Sequence, residues 1–256
     1  MGQRLTALVL ALTVGLSMPV WAATQRDSER TSRNGLEFFD GHGNDTIDAF
    51  LMRLRPAPLD ETLRANVIAT LPREGEARPS RKDGAKLLLA QHILDYSAGP
   101  GAVLVKVVDV DSAFVGLYNR AVVLVSAKAL AFLDAEELAA LVAHEMGHDA
   151  DWDAYVNAIQ RHDTGRMREL ELKADGIGAL ILEHLGIDPE RLASAIQKTI
   201  RYNDWLDRNA GATSQTAAAV TADRYVPLRE RLAFIRAVAT LHWADRRPVP
   251  QAAAVR

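Results

Sequence analysis

Two histidines four residues apart bracket an acid in His144-Glu145-Met146-Gly147-His148. This spacing constrains the fold more than any other stretch of the chain. On a helix, positions i and i+4 share one face, so both imidazoles can reach one zinc ion. Glu145 lies about 100° round the same helix; it can flank that ion and hold a water. The surrounding residues predict the helix. Asp134 and Glu137 form an acidic capping box, and Leu138, Leu141 and Val142 follow as an apolar stripe at helical spacing. No Pro or Gly intervenes before Gly147. The competing reading, a core helix with two satisfied histidines, leaves the acid between them without a purpose.

A second helical pattern runs from about Arg166 to Leu185 and is closed by Gly186 and Pro189, both stop signals. Within it, Glu171 and Asp175 are again i and i+4. Glu171 is the candidate third zinc ligand. Asp175 is the candidate acceptor for the N–H of a ligating histidine, which fixes its tautomer and orientation. Alone, such a pair is more often a solvated acidic face with Lys173 and Arg168 as salt-bridge company; the histidine helix before it reverses that preference. Glu169 competes as a ligand, but two residues is about 200° of turn, nearly opposite Glu171.

With these residues in place, the chain resembles the gluzincin zinc metallopeptidases of the HtpX-like and CAAX-prenyl-protease-like group, in its soluble periplasmic form. Four stretches carry the resemblance, over roughly residues 86–243. Ala113-Phe114 precedes Ala121–Ser126, which looks like the family's edge strand. Glu136–Ala143 leads into the histidine helix in the family manner. Glu171-Leu172-Lys173-Ala174-Asp175 matches the third-ligand motif, and Pro227-Leu228-Arg229-Glu230-Arg231 the C-terminal helix start. The connection from His148 to Glu171 is short for the family. Tyr225 stands near the place of a histidine that many members carry. Its hydroxyl is a candidate donor to the reaction's oxyanion; otherwise it packs where the loop ends. Arg231, about two turns further on, is expected to pair with an acid.

The expected fold class is α+β, mostly helical: a zincin-like core with a small β-sheet whose edge strand, Ala121–Ser126, lines the active-site cleft. Val103–Val110 reads as the partner strand, with Gly116 and Asn119 as turn residues. Asp149, Asp151 and Asp153 read as a solvated stretch of a helix that continues toward Tyr155. His42, between Gly41 and Gly43, is a candidate inhibitory fourth ligand, though a loop histidine is more often simply exposed. His162 lies at a break before Gly165 and is not expected to bind metal.

The N-terminus reads as an export signal. Arg4 precedes an uncharged apolar run, Leu5–Met18, then Pro19 and a small-x-small site ending at Ala22. The expected division is a signal peptide over 1–22, a flexible and short-helix segment over 23–83, a catalytic domain over 84–245 and a flexible tail over 246–256. The expected location is periplasmic, with an uncleaved N-terminal membrane anchor as the alternative, and no stable membrane span after cleavage. The chain has no cysteine, which excludes disulfides, thiolate ligation of zinc and a lipid-modified cysteine. A net charge of −3 with scattered basic residues gives no sign of a nucleic-acid surface.

The expectation is therefore a zinc metalloendopeptidase with one Zn2+ per chain. His144, His148 and Glu171 are the ligands, Glu145 and Tyr225 the catalytic residues, and Asp175 supports a ligand. An extended polypeptide is the substrate; export and resemblance together suggest misfolded or unassembled envelope proteins. The alternative is a zinc-binding chaperone-like or interaction protein of the same fold with little turnover, against which the intact Glu145 argues.

Overall fold

The computed structural model describes residues 25–71, 77, 79–209 and 226–245. Ten α-helices, a short 3-10 helix (Arg81–Asp83) and three strands lie among these residues. Helices α1 (Gln25–Asp40), α2 (Ile47–Leu54), α3 (Glu61–Thr70) and α4 (Gly84–Ala98) precede the sheet. The strands are β1 (Leu104–Val108), β2 (Val115–Tyr118) and β3 (Val122–Ser126). Then follow α5 (Ala127–Phe132), α6 (Ala135–Ala150), α7 (Trp152–Gln160), α8 (Thr164–His184), α9 (Glu190–Asn209) and α10 (Leu228–Val238). The architecture is mostly helical with a small mixed sheet, as the sequence predicts.

The histidine helix is α6. Asp134 caps it by accepting from Glu137 N, while the Glu137 side chain accepts from Asp134 N, so the capping box forms in both directions. The Glu137 carboxylate is buried, and Ser194 and Lys198 of α9 donate to it, which locks α9 against the start of α6. The carboxylate helix α8 is capped by Asp163 and ends before Gly186, whose φ of 74° suits glycine.

Helices α6 and α8 form the centre of the molecule, and glycine sets how closely they approach. A Cβ on Gly147 would stand 2.6 Å from the Cα and the carbonyl oxygen of Ala174; one on Gly178 would stand 3.0 Å from His144 N. Both helices therefore touch backbone to backbone on the turns that carry the site. Gly147→Ala is expected to force them apart, at about 1–3 kcal/mol of stability. Denaturant unfolding and zinc titration should both register it, because α8 brings Glu171 and Asp175. A Gly147→Ala protein with unchanged unfolding midpoint would disprove this account of the packing.

The sheet corrects two expectations. Its strand order is β1-β3-β2, with β1 parallel and β2 antiparallel to β3. The stretch 121–126 is thus the central strand, buried throughout, and not the edge. The physical reason lies in Val122-Val123-Leu124-Val125, which is apolar on both faces, as a strand covered on both sides requires. The edge beside α6 is β2. Gly116, expected in a turn, is a strand residue paired with Leu124. The turn is Asn119-Arg120-Ala121, between the paired Tyr118 and Val122; Asn119 and Arg120 have φ of 45° and 60°, and Ala121 N donates to Tyr118 O. Ser126 N donates to Phe114 O, so 114, 116 and 118 direct their backbone groups at β3, and Val115 and Leu117 direct theirs outward.

Around this centre one core gathers α1, α2, α4, the sheet, α6, α8, α9 and α10. Helix α1, 16 residues long, opens the segment 23–83 that the sequence predicts to be flexible with short helices. Phe39 at its C-terminal end packs on Gly176, where an added Cβ would meet the ring at 2.4 Å, and also meets Phe50 and Phe234. Helix α6 does not continue toward Tyr155: it stops at Ala150, and α7 starts at Trp152 after a bend at Asp151. No helix among the described residues is long and apolar enough to cross a membrane. The stretch 1–22, expected to be a signal peptide, and the expected tail 246–256 lie outside the described residues.

Candidate metal centre

His144 and His148 project from one face of α6 toward α8, where Glu171 faces them. Their Nε2 atoms are 3.1 Å apart, and they lie 3.6 Å and 3.5 Å from the two Glu171 oxygens. All three side chains are buried. Among the described residues, this is the one group of histidines and acids whose ligand atoms all lie within 4.8 Å of one another.

The donor set fits zinc. Two ligands at about 2.0–2.1 Å in tetrahedral geometry lie roughly 3.3–3.4 Å from each other; the histidine nitrogens are 3.1 Å apart, and each lies 3.5–3.6 Å from one of the two Glu171 oxygens. The chemistry also fits. Two imidazole nitrogens and a carboxylate oxygen, donors of the kinds that zinc takes, converge in a buried space.

The support around the ligands is built in layers. His144 Nδ1 lies 2.9 Å from Asp175 Oδ1, which leaves Nε2 as the lone-pair nitrogen facing the site. Asp175 is fully buried, and Arg231 of α10 grips it in bidentate fashion, Nε to Oδ2 at 2.8 Å and Nη2 to Oδ1 at 2.6 Å. Burial pushes the Asp175 carboxyl up, but Arg231 and then His144 override it and hold it at about 2. Burial likewise disfavours a charged His144, yet Asp175 outweighs burial and raises its pKa. His148 is different. Burial, followed by the charge of His144, holds it well below its ordinary range, so it is neutral at pH 7, the form that ligates. Its ring packs against Tyr155 of α7, with centroids 4.2 Å apart.

Glu145 is partly exposed, one position round α6 from the ligand face. Leu117 N, on the outward edge of β2, donates to its Oε2 at 2.8 Å. Burial of the carboxyl raises its pKa to about 7, the range in which a general base works best.

The structure thus brings together His144, Glu145, His148, Glu171 and Asp175. Arg231 pairs with an acid as expected: it grips Asp175, and its Nη2 also lies 3.9 Å from Glu171 Oε2. Glu169 is exposed and pairs with Arg166. Arg168 pairs with Glu230 of α10, and Lys173 with Asp151. His42 stands away from this group, against Phe38 and Phe50 and beside Asp45 and Arg53. His162 is exposed in a left-handed turn. Tyr225 lies outside the described residues. Asp149, expected in solvent, is buried and paired with Arg120 across 2.6 Å. Sequence reading missed this pair, because nothing local links positions 29 residues apart.

Fold and site together define a zincin-like arrangement that can bind a metal. Residues 89–165 match the model of peptidase family M48. The chain resembles the HtpX-like metallopeptidases of that family, and the match supports a peptidase role, with a polypeptide as substrate. The matched stretch runs from α4 through both histidines and ends before Glu171, so the third ligand rests on its sequence spacing and on the geometry. No curated protein matches the chain.

Proposed function

We propose that this protein is a zinc-dependent metalloendopeptidase with one Zn2+ held by His144, His148 and Glu171. The observation that carries the reading is the convergence of those three ligand atoms beside Glu145, on helices kept in contact by Gly147 and Gly178. Bound there, zinc would acidify a water and polarise the scissile carbonyl.

The chain's own groups account for the rest. Glu145 takes the proton of the attacking water and returns it to the leaving amine. Asp175 holds His144 in the ligating tautomer, and Arg231 holds Asp175 ionised. The substrate lies extended along the outer edge of β2, where Val115 and Leu117 direct their backbone N–H and C=O outward and can pair with an incoming strand. Leu117 N, which donates to Glu145, places that edge within hydrogen-bond reach of the catalytic base. Tyr225 remains our candidate donor to the oxyanion, on sequence grounds alone.

Purified protein should carry about one zinc per chain, and chelation should abolish cleavage of an unfolded substrate such as casein, with zinc restoring it. A protein that copurifies with no metal and gains none on titration would refute the reading.

We further propose export to the periplasm, with misfolded or unassembled envelope proteins as substrates; the apolar run Leu5–Met18 and the site at Ala22 support export. Mass spectrometry of a periplasmic fraction should find a mature chain beginning at Ala23 or Thr24. A full-length chain in the membrane fraction would establish the anchored alternative instead.

A further inference from the structure

Arg120 is held in a backbone conformation that a long side chain rarely adopts, with φ of 60°. Such a residue persists only where its surroundings over-determine it. Here the side chain makes two contacts that a glycine, the easier occupant of this turn, would lack. Arg120 Nε donates to Asp149 Oδ1 at 2.6 Å, and Nη2 donates to the carbonyl of Ala57 at 2.8 Å. Asp149 directly follows the ligand His148 and is buried, whereas the Arg120 side chain is 19% exposed. A charge taken out of water next to a metal ligand needs a reason beyond stability, since a buried ion pair is often no more stable than an apolar pair.

The reason lies in where the pair sits. Glu145 and Asp149 are i and i+4, on one face of α6. Each touches the β2–β3 hairpin: Glu145 takes Leu117 N, and Asp149 takes Arg120, three residues on. These two are the polar links between hairpin and helix among the described residues. The first link is temporary, because Glu145 must turn to water and the leaving amine during turnover. The second is independent of the reaction.

We propose that Arg120 and Asp149 form a positioning clasp that keeps the outer edge of β2 in register along the metal helix while Glu145 is engaged in chemistry. Neither residue touches the reacting atoms. The clasp sets where the substrate strand lies relative to the metal, and it rests on the peptidase reading for the identity of what pairs with β2.

The test uses the full chain in a Glu145→Gln background, so that unfolded casein binds without being cut. Asp149→Asn removes the charge and leaves Arg120 partly in solvent. Arg120→Gly combined with Asp149→Asn suits the left-handed turn and leaves no buried orphan charge, so it keeps the fold testable. Both variants should keep zinc stoichiometry. Both should show faster amide exchange at residues 115–118 than the parent, with exchange in α8 unchanged, and casein binding at least about threefold weaker.

Exchange at 115–118 and casein binding equal to the parent overturn the proposal. So does a lower melting temperature with exchange raised evenly across the molecule, which is what a merely structural pair gives. If the unsubstituted protein cleaves nothing, the peptidase reading fails separately, and the exchange measurement still decides whether the clasp holds β2.

Discussion

Glu145→Gln is expected to retain about one zinc per chain and to lose at least roughly a hundredfold in turnover, the scale on which a positioned general base contributes. Glu171→Ala is expected to lose the metal itself. The contrast follows from geometry. Glu171 places both carboxylate oxygens 3.5–3.6 Å from the histidine Nε2 atoms and completes the donor set. Glu145 instead faces the β2 edge and accepts from Leu117 N. Gln keeps the shape of that side chain but cannot take a proton. Metal analysis beside casein cleavage separates the two roles. Full zinc occupancy in Glu171→Ala would remove Glu171 from the ligand set.

How much of this was legible in the sequence depends on the range of the interaction. The two metal helices were legible because their signals are local. A capping box whose ends are three residues apart, histidines four apart and carboxylates four apart all fall within one or two helical turns. Gly147 and Gly178 sit inside those helices, and a glycine retained there despite its helix cost hints at close packing. What the sequence did not reveal was set by partners far along the chain. The edge strand β2, Val115-Gly116-Leu117-Tyr118, is four residues long and contains a glycine, so it has little strand character of its own. It forms because β3 pairs with it. The unbroken apolar run of β3 was the available signal that this strand is central. Asp149 reads with Asp151 and Asp153 as a solvated stretch, because only the fold brings Arg120 to it. Helix α1 is polar along most of its length, and two consecutive phenylalanines at its end, Phe38 and Phe39, anchor it to the core.

The second large effect is expected at Arg231, which touches neither substrate nor metal. It is the outermost link of a chain that runs from Arg231 through Asp175 to His144. Arg231→Met keeps the apolar stem and removes the charged guanidinium, leaving Asp175 ionised and fully buried without its cation. Breaking a buried pair in this way costs about 3–5 kcal/mol. Zinc affinity should fall as well, because Asp175 then either takes a proton or loses its fixed orientation. Asp175→Asn isolates the inner link: it keeps the shape, weakens the acceptor and should reduce zinc affinity about ten- to a hundredfold in chelator competition.

The pH dependence distinguishes the two links further. In the folded protein the Asp175 pKa is about 2, below its ordinary value of 3.8. A group whose folded pKa is depressed contributes stability that is present above the unfolded pKa and lost as pH falls through the folded one. The window therefore runs from about pH 4 down to about pH 2, and the contribution is on the order of 2 kcal/mol. Denaturant unfolding with chelator present should show the unsubstituted protein losing stability across that window and Asp175→Asn losing correspondingly less. Identical acid profiles for the two proteins would mean that Arg231 does not hold Asp175 ionised, and the layered support of His144 would have to be redrawn.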